Sequence, residues 1–365
     1  MKSEFLNLPG AVEATGNDAG IAAHYGDPFR EQRALSCGDA IVDLSNRAVL
    51  SVAGPDRLTW IDSITSQAVK SMEPGDSSET LLLDQAGRLE YAVGLIDDGE
   101  TLWMLLEATE APGLLAWLAR MRFMLRVEPA DRSAEFATIG AIGDPELPAA
   151  APAGVPLVWR DPWTSVAPGG HQYAAAGAHP AVDWHWTETI VPRSALAGIA
   201  GSRPAAGLLA AEALRIAAWR PRFAAEVDDR TIPHELDWLR SAVHLSKGCY
   251  RGQETVAKVH NLGHPPRRLV MLHLDGSEAV LPKPGDGVLL ADAVVGRITS
   301  SAMHFELGPI ALAVLKRSAD AAATLTVAAD GTRVAAAQEV IVPTDAGATA
   351  GVPRLPRLGA VRRGG

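Results

Sequence analysis

The chain has 365 residues, of which 47% are hydrophobic and 21% are charged, and its net charge at pH 7 is −10. This composition excludes a wholly disordered or fibrous protein. The negative net charge argues against a protein that binds nucleic acid over its whole surface. At about 150 residues per domain, the length predicts two to three domains. The two cysteines, Cys37 and Cys249, form neither a CxxC pair nor a zinc-ligand pattern. We therefore expect no bound metal and a reducing, cytoplasmic location.

The amino-terminal segment predicts neither a signal nor a membrane anchor. Residues 1–30 are polar and irregular, with no apolar run after the first charge, so we expect a loosely packed lead-in and no secretory signal. The longest apolar stretch, 196–219, is interrupted by Arg203, Pro204, Glu212 and Arg215. It therefore predicts a loop and a soluble helix, and we expect no contact with a membrane.

Residues 31–142 predict an N-terminal α+β lobe. A strand over 48–53 precedes Gly54-Pro55-Asp56, which suits the start of a helix because proline is tolerated in the first helical turn. Residues 80–83 and 88–96 predict a hairpin around the turn at 84–87, followed by a strand at 101–106 and a helix at 110–125. The order strand, helix, three strands, helix indicates mainly antiparallel pairing.

Three further segments complete the predicted organisation. Residues 143–264 form a second lobe, with a loop-rich connection over 143–181, a helix over 208–219 and a loop-rich region over 228–266. Short β runs across 265–345 predict a small C-terminal barrel or sandwich. Residues 346–365 contain four arginines and no acidic residue, which predicts a disordered basic tail.

The segment with the most chemical content is LSKGCYRGQE, residues 245–254. Cys249 lies two residues from Lys247 and two from Arg251, and nearby cations favour the thiolate form of a cysteine. Gly248 and Gly252 permit positive φ angles and a close approach to a ligand. The segment also contains the aromatic ring of Tyr250, the amide of Gln253 and the carboxylate of Glu254, which could pair with the edge of a heterocycle. These features predict a reactive thiol in a ligand-binding loop.

The surroundings of this segment are basic, with six Lys or Arg residues and one acid between Arg240 and Arg268. An anionic ligand or partner would explain this local balance, and the alternative is a solvated basic loop with Cys249 packed after a turn. The other candidate residues give weaker signals and favour loops, turns or core packing. They are His234, Glu235, His244, His260, His264, the pair Asp228-Asp229, and the Trp184-His185-Trp186 cluster.

Residues 247–254, KGCYRGQE, resemble the K-G-C-Y-x-G-Q-E signature of the YgfZ proteins, folate-binding relatives of the glycine-cleavage T-protein (aminomethyltransferase). The similarity extends over about residues 40–330. Further matching segments are 43–45, 50–56, 214–216, 229–236, 296–301 and 310–313.

The resemblance implies a T-protein-like α+β fold, with three lobes around a central folate site and a small C-terminal β-barrel. It implies tetrahydrofolate as the cofactor, and iron–sulfur client or assembly proteins as partners. The function it implies is iron–sulfur cluster assembly or maintenance, with indirect effects on tRNA-modifying iron–sulfur enzymes. Cys249 would be the functional thiol. The folate site would include Lys247, Gly248, Tyr250, Arg251, Gly252, Gln253, Glu254 and Glu90.

Two departures from the T-protein pattern bear on activity. Ala217 stands where T-proteins have a carboxylate that helps to hold the pterin, and Glu90 is the one carboxylate that could replace an aspartate pair on the hairpin. Losing one such contact typically costs about 10²-fold in rate, so we expect no glycine-cleavage activity. Two alternatives stay open: a folate-dependent aminomethyl or one-carbon transferase, and a basic-loop module that binds RNA or protein.

Overall fold

A computed structural model describes residues 2–351, except residues 176 and 178. Within these ranges no helix is both long enough and apolar enough to cross a membrane. The α-helices are α1 (Pro28–Ser36), α2 (Arg57–Ile64), α3 (Ala111–Met121), α4 (Leu196–Ile199), α5 (Leu208–Ala217), α6 (Phe223–Glu226) and α7 (Gln253–Leu262).

The strands of the first half of the chain are β1 (Val12–Glu13), β2 (Ala22–His24), β3 (Ile41–Asp43), β4 (Ala48–Ala53), β5 (Ser77–Leu83), β6 (Leu89–Asp97), β7 (Thr101–Leu106), β8 (Glu128–Asp131) and β9 (Phe136–Ile142). Those of the second half are β10 (Val158–Arg160), β11 (Trp186–Pro192), β12 (Ala205–Ala206), β13 (Arg267–Leu274), β14 (Gly287–Leu290), β15 (Ala293–His304), β16 (Gly308–Lys316), β17 (Leu325–Ala329) and β18 (Thr332–Val340).

Two five-stranded sheets form the main body of the protein. The first has the strand order β5-β6-β7-β4-β8 and is antiparallel throughout. The second has the order β10-β11-β9-β3-β12, in which only the β3–β12 pair is parallel. One face of the first sheet packs against α2 and α3, and its other face shares a large apolar core with the second sheet and α5.

The C-terminal domain is a closed six-stranded barrel with the order β13-β16-β15-β14-β17-β18. Its interior contains small and branched apolar side chains such as Val270, Ile298 and Leu325. Closure pairs every strand on both sides, so the barrel has no free edge. The predicted α+β fold with a small terminal β-barrel is confirmed.

Two segments differ from the sequence-based expectation. The amino-terminal lead-in is folded: it contains two 3-10 helices, the β1–β2 hairpin and the start of α1, which Asp27 caps by accepting from Arg30 N at 3.0 Å. In the expected tail, the main-chain N–H groups of Thr349 and Ala350 donate to carbonyl groups near the end of α7. The remainder of the predicted tail, 352–365, lies outside the described residues.

Candidate functional site

Lys247 has a structural contact that the sequence did not predict. Its side chain is only 4% exposed, and its Nζ donates to the main-chain oxygens of Asp62, Thr65 and Gln67 at 2.5, 2.9 and 2.7 Å. These carbonyl groups lie at and just beyond the end of α2, where helix carbonyls lack partners within the helix. The ammonium group thus ties the motif to α2, and burial lowers the pKa of Lys247, although Asp62 opposes the shift.

Arg251 and Gly252 attach the motif to the β5–β6 hairpin. Arg251 forms a two-pronged ion pair with Glu90, with N–O distances of 2.6 and 3.3 Å. Gly252 has a φ of +85°, and a Cβ atom there would lie 2.6 Å from Asp84 O. This position therefore requires glycine, because an added side chain would be both strained and in collision with the main chain.

The other residues of the motif divide into buried and exposed groups. Tyr250 is buried, and burial raises the pKa of its hydroxyl well above the usual range. Gln253 Nε2 donates to Lys247 O at 3.2 Å, which closes the loop on itself. Gly248, Cys249 and Glu254 are exposed. The thiol of Cys249 therefore lies on the surface, at the end of a loop that is fixed on both sides.

A central cavity of about 110 Å³ lies between the two sheets and α5. Its aromatic walls are Trp159, Trp184, Trp186 and Trp238, and the rings of Trp184 and Trp186 are stacked at 5.2 Å with an interplanar angle of 9°. Among the described residues that line this cavity, none belongs to the motif or is Glu90. The structure thus places Trp184 and Trp186, which sequence reasoning had assigned to local packing, in a cavity wall, and it holds the motif apart from this cavity.

The cavity has charged walls. Its lining includes five carboxylates and four guanidinium groups: Glu79, Glu107, Asp161, Glu188, Glu212, Arg47, Arg215, Arg220 and Arg222. Most form buried ion pairs, as where Arg220 contacts both Glu79 and Asp161 at 2.5 and 2.9 Å. Burial alone would raise the pKa of the Glu212 carboxyl. The attraction of Arg215 and Arg222 outweighs this effect and lowers the pKa to about 2. This network fixes the cavity walls in one arrangement.

Among the described residues, two polar atoms on the cavity walls lack hydrogen-bond partners. Glu188 is 2% exposed, and its Oε1 accepts from Arg47 at 2.6 Å and from Trp186 at 3.1 Å. Its Oε2 and the indole Nε1 of Trp238 have no hydrogen-bond partner within the described residues. A buried unpaired polar group typically costs about 1–3 kcal/mol. Both atoms are fully buried, so a flat heterocycle with donors and acceptors on its edge, as a pterin has, would pair with them only after a small movement of the neighbouring side chains.

A second cavity of about 300 Å³ adjoins the first, and Trp184 lines both. Ala217 lies in this second cavity together with Leu214, His304 and Phe305. The central cavity alone is smaller than the roughly 300 Å³ at which sites begin to enclose a drug-sized ligand. It could therefore enclose a head group, while the rest of a larger ligand would lie outside it.

The remaining candidates have structural partners. Asp228 pairs with Arg267 and Arg297 at 2.6 and 3.0 Å. Despite partial burial, Arg267 and the hydrogen bonds from Arg230 N and the Thr231 hydroxyl hold the pKa of its carboxyl below the usual range. His260 Nδ1 lies 3.0 Å from the Tyr173 hydroxyl, and the Tyr173 ring stacks on His234. Within the described part of the chain, no group of three or more His, Cys, Asp or Glu residues has a metal-binding arrangement.

Glu188 is the site residue that sequence reasoning missed. It stands in WTETIVP, a strand that is buried along nearly its whole length. A carboxylate within such a buried strand could have identified Glu188 as a candidate site residue, because buried charges need a partner or a ligand. Its partner Arg47 is 141 residues away in the sequence, so the arrangement could not be read from local spacing.

Comparison with known proteins agrees with this architecture. The sequence profile of the glycine cleavage T-protein C-terminal barrel domain matches residues 267–342. A putative chloroplastic transferase from Arabidopsis thaliana is 23% identical over 351 residues, which cover 90% of this chain and 77% of the relative. An aminomethyltransferase from Rippkaea orientalis is 37% identical over 116 residues, 31% of this chain and 30% of that protein.

The crystal structure of the glycine cleavage system aminomethyltransferase T from Bartonella henselae superposes with a TM-score of 0.72 at 15% sequence identity. The match covers 93% of this chain and 96% of that chain. The chain therefore has a T-protein-like fold over nearly its whole length.

Proposed function

We propose that the protein binds a reduced folate with its pterin in the central cavity, and that it acts as a YgfZ-type factor in iron–sulfur cluster assembly or maintenance. The observation that carries the folate proposal is Glu188, a buried carboxylate with a free oxygen beside two stacked indoles. The T-protein-like fold and the relatives that are named as transferases support the same ligand class.

The chain's own groups suggest how a pterin is held. Glu188 Oε2 would accept hydrogen bonds from the N–H groups of the pterin edge, and Trp238 Nε1 would donate to a ring acceptor. An outer face of the stacked Trp184–Trp186 pair would bind the ring face, since aromatic stacking adds about 0.5–1.5 kcal/mol beyond area burial. Tetrahydrofolate, when bound, supplies a carrier for one-carbon units. The ion pairs around Arg220 and Arg222 keep the walls in place for it.

Cys249 is the proposed contact with iron–sulfur partners. Its thiol is exposed, whereas the loop around it is held by Lys247 and Arg251. Two cysteines from one chain cannot supply the four thiolates of a usual cluster. The proposal is therefore that Cys249 acts on or with a client or assembly protein.

A folate-dependent aminomethyl or one-carbon transferase is the second candidate. The 37% identity with an aminomethyltransferase over 116 residues favours it. Two findings weigh against glycine-cleavage chemistry. Ala217 supplies no carboxylate to the second cavity, and Glu90 is paired with Arg251. A basic-loop module has less support, because Glu90 neutralises the charge of Arg251, and Lys247 is buried.

Anaerobic titration calorimetry with tetrahydrofolate tests the ligand. We expect the wild type to bind and Glu188→Gln to bind at least tenfold more weakly, because a charge-assisted hydrogen bond is worth about 1.5–3 kcal/mol. The exposed Glu254→Gln variant is the matched control and should keep wild-type affinity. A wild type that binds no folate, or equal affinity in Glu188→Gln, would contradict the proposed site.

The cellular role needs a separate measurement. A strain that carries only Cys249→Ala should lose activity of iron–sulfur enzymes, while the purified variant keeps its stability and folate affinity. Full enzyme activity in that strain would contradict the iron–sulfur proposal. Aminomethyl-group transfer by the purified wild type would instead favour the second candidate.

A further inference from the structure

The loop after α3 exposes an apolar tip, defined here as Phe123 and Met124. These side chains are 78% and 98% exposed, and every residue from 122 to 126 is exposed. Single exposed apolar residues are common on protein surfaces, but two large adjacent ones at the end of a loop mark a contact site.

The tip is held rigidly. Leu125 N donates to Arg122 O at 2.9 Å, which closes a turn around the tip. Arg126 donates to the Asp56 carboxylate three times, through its main-chain N, Nε and Nη2 at 2.9, 3.1 and 2.8 Å. Phe123 has a φ of +44°, a region that large side chains rarely adopt. A fixed and strained turn loses little main-chain entropy on docking, which favours a binding role.

The surface beside the tip is positively charged. Arg120 and Arg122 flank it, and both are exposed. Neither guanidinium forms an ion pair with a carboxylate anywhere in the described part of the chain. A partner for the tip should therefore offer an apolar recess with carboxylates at its rim.

The second cavity offers that recess. Its walls are mainly apolar and include Trp184, Leu214, Phe305 and Leu307, and its volume of about 300 Å³ can receive large side chains. Leu307 is 45% exposed, as expected at the entrance of an open cavity.

The rim of the cavity is acidic. Asp183 and Glu306 line it, and both residues are exposed. Within the described ranges neither carboxylate forms an ion pair. One cation approaches the cavity lining: the guanidinium of Arg33 lies over the Phe305 ring at 5.5 Å.

We propose that this protein self-associates: the apolar tip of one copy inserts into the second cavity of another, with Arg120 and Arg122 facing Asp183 and Glu306. The contact surface is small, so the association is weak and dynamic compared with standard interfaces that bury about 1,600 Å². Reciprocal insertion closes a two-fold dimer, whereas one-way insertion makes short chains. The inference does not rest on the proposed folate function.

Sedimentation velocity of the full chain between about 1 and 300 μM, without added ligand, is the first test. We expect the weight-average mass to rise with concentration for the wild type. The double variant Phe123→Ser/Met124→Ser should weaken association at least tenfold. Val294→Ser is the matched control, because Val294 is 57% exposed on the barrel and away from both surfaces. A monomer at all concentrations, or equal association in the tip variant, overturns the proposal.

Charge reversal tests which surface receives the tip. Arg122→Glu and Glu306→Arg should each weaken association, and an equimolar mixture of these two variants should regain it, because each supplies the partner that the other lacks. Failure of the mixture to recover overturns the assignment to the second cavity, even if the tip variant dissociates. Binding of the tip to anionic lipid vesicles without self-association would likewise replace this proposal.

Disulfide trapping provides a direct readout. In a Cys37→Ser/Cys249→Ser background, chains with Met124→Cys and chains with Leu307→Cys are mixed and mildly oxidised. We expect a cross-linked heterodimer in the mixture, and little product from Met124→Cys mixed with Val294→Cys. Equal cross-linking in both mixtures overturns the proposed contact.

Discussion

A Lys247→Met variant tests whether Lys247 stabilises the fold or contributes to ligand binding. The Nζ of Lys247 makes three hydrogen bonds to main-chain carbonyl groups, and its side chain is almost fully buried. A hydrogen bond from a charged group contributes about 1.5–3 kcal/mol, and each buried carbonyl left unpaired costs about 1–3 kcal/mol. The buried ammonium is itself unfavourable, as its lowered pKa shows, so part of this gain is offset. We expect Lys247→Met to lower the free energy of unfolding by about 3 kcal/mol.

Urea unfolding followed by tryptophan fluorescence measures this loss, and Lys258→Met is the matched control because Lys258 is exposed on α7. The control should change stability by less than about 0.5 kcal/mol. Lys247→Met should also keep its tetrahydrofolate affinity while folded, because Lys247 is not part of the central cavity wall. A loss below 1 kcal/mol, or weaker folate binding at unchanged stability, would refute the structural assignment.

Three further predictions concern the motif and one buried histidine. Gly252→Ala should destabilise the protein by about 2 kcal/mol in urea unfolding, whereas Gly248→Ala, with open space around it, should be neutral. Cys249→Ala should leave stability within about 0.5 kcal/mol of wild type, since its side chain is exposed; a larger loss would indicate a packing role. Burial lowers the pKa of His234 to about 3, so only the unfolded chain takes up its proton between pH 6.5 and 3. Stability should therefore fall as the pH drops through this window, and His234→Gln should flatten the slope; an unchanged slope would contradict this.

Local patterns predicted the elements with strong periodicity. The strand at 48–53 is β4, and the predicted hairpin corresponds to β5 and β6. The helix predicted over 110–125 ends at Met121, because the following apolar residues form the exposed turn instead of a helical face. The last barrel strand, β18, is hard to recognise in the sequence, because its three consecutive alanines give little hydrophobic contrast.

The helix α7 and the central site were harder to predict. The region 228–266 was interpreted as loop-rich, although Gly252 and Gly263 bracket a ten-residue helix. His264 follows Gly263, the residue that caps this helix, and so lies outside it. The cavity walls depend on ion pairs such as Arg220–Glu79, whose partners are 141 residues apart. Such pairs follow from tertiary packing, so no spacing rule could have revealed them.

The attachments of the motif have a consequence for folding kinetics. Lys247 binds carbonyl groups 180–185 residues earlier in the chain, and Arg251 binds Glu90 across 161 residues. Contacts of such long range form late, because the entropy of closing the intervening loop must be overcome first. All of these partners precede the motif in the chain, so during synthesis they are already present when Cys249 emerges, and the contacts wait only for residues 247–251. Until the contacts form, the thiol is that of an ordinary unstructured cysteine, and it gains its defined environment late in folding.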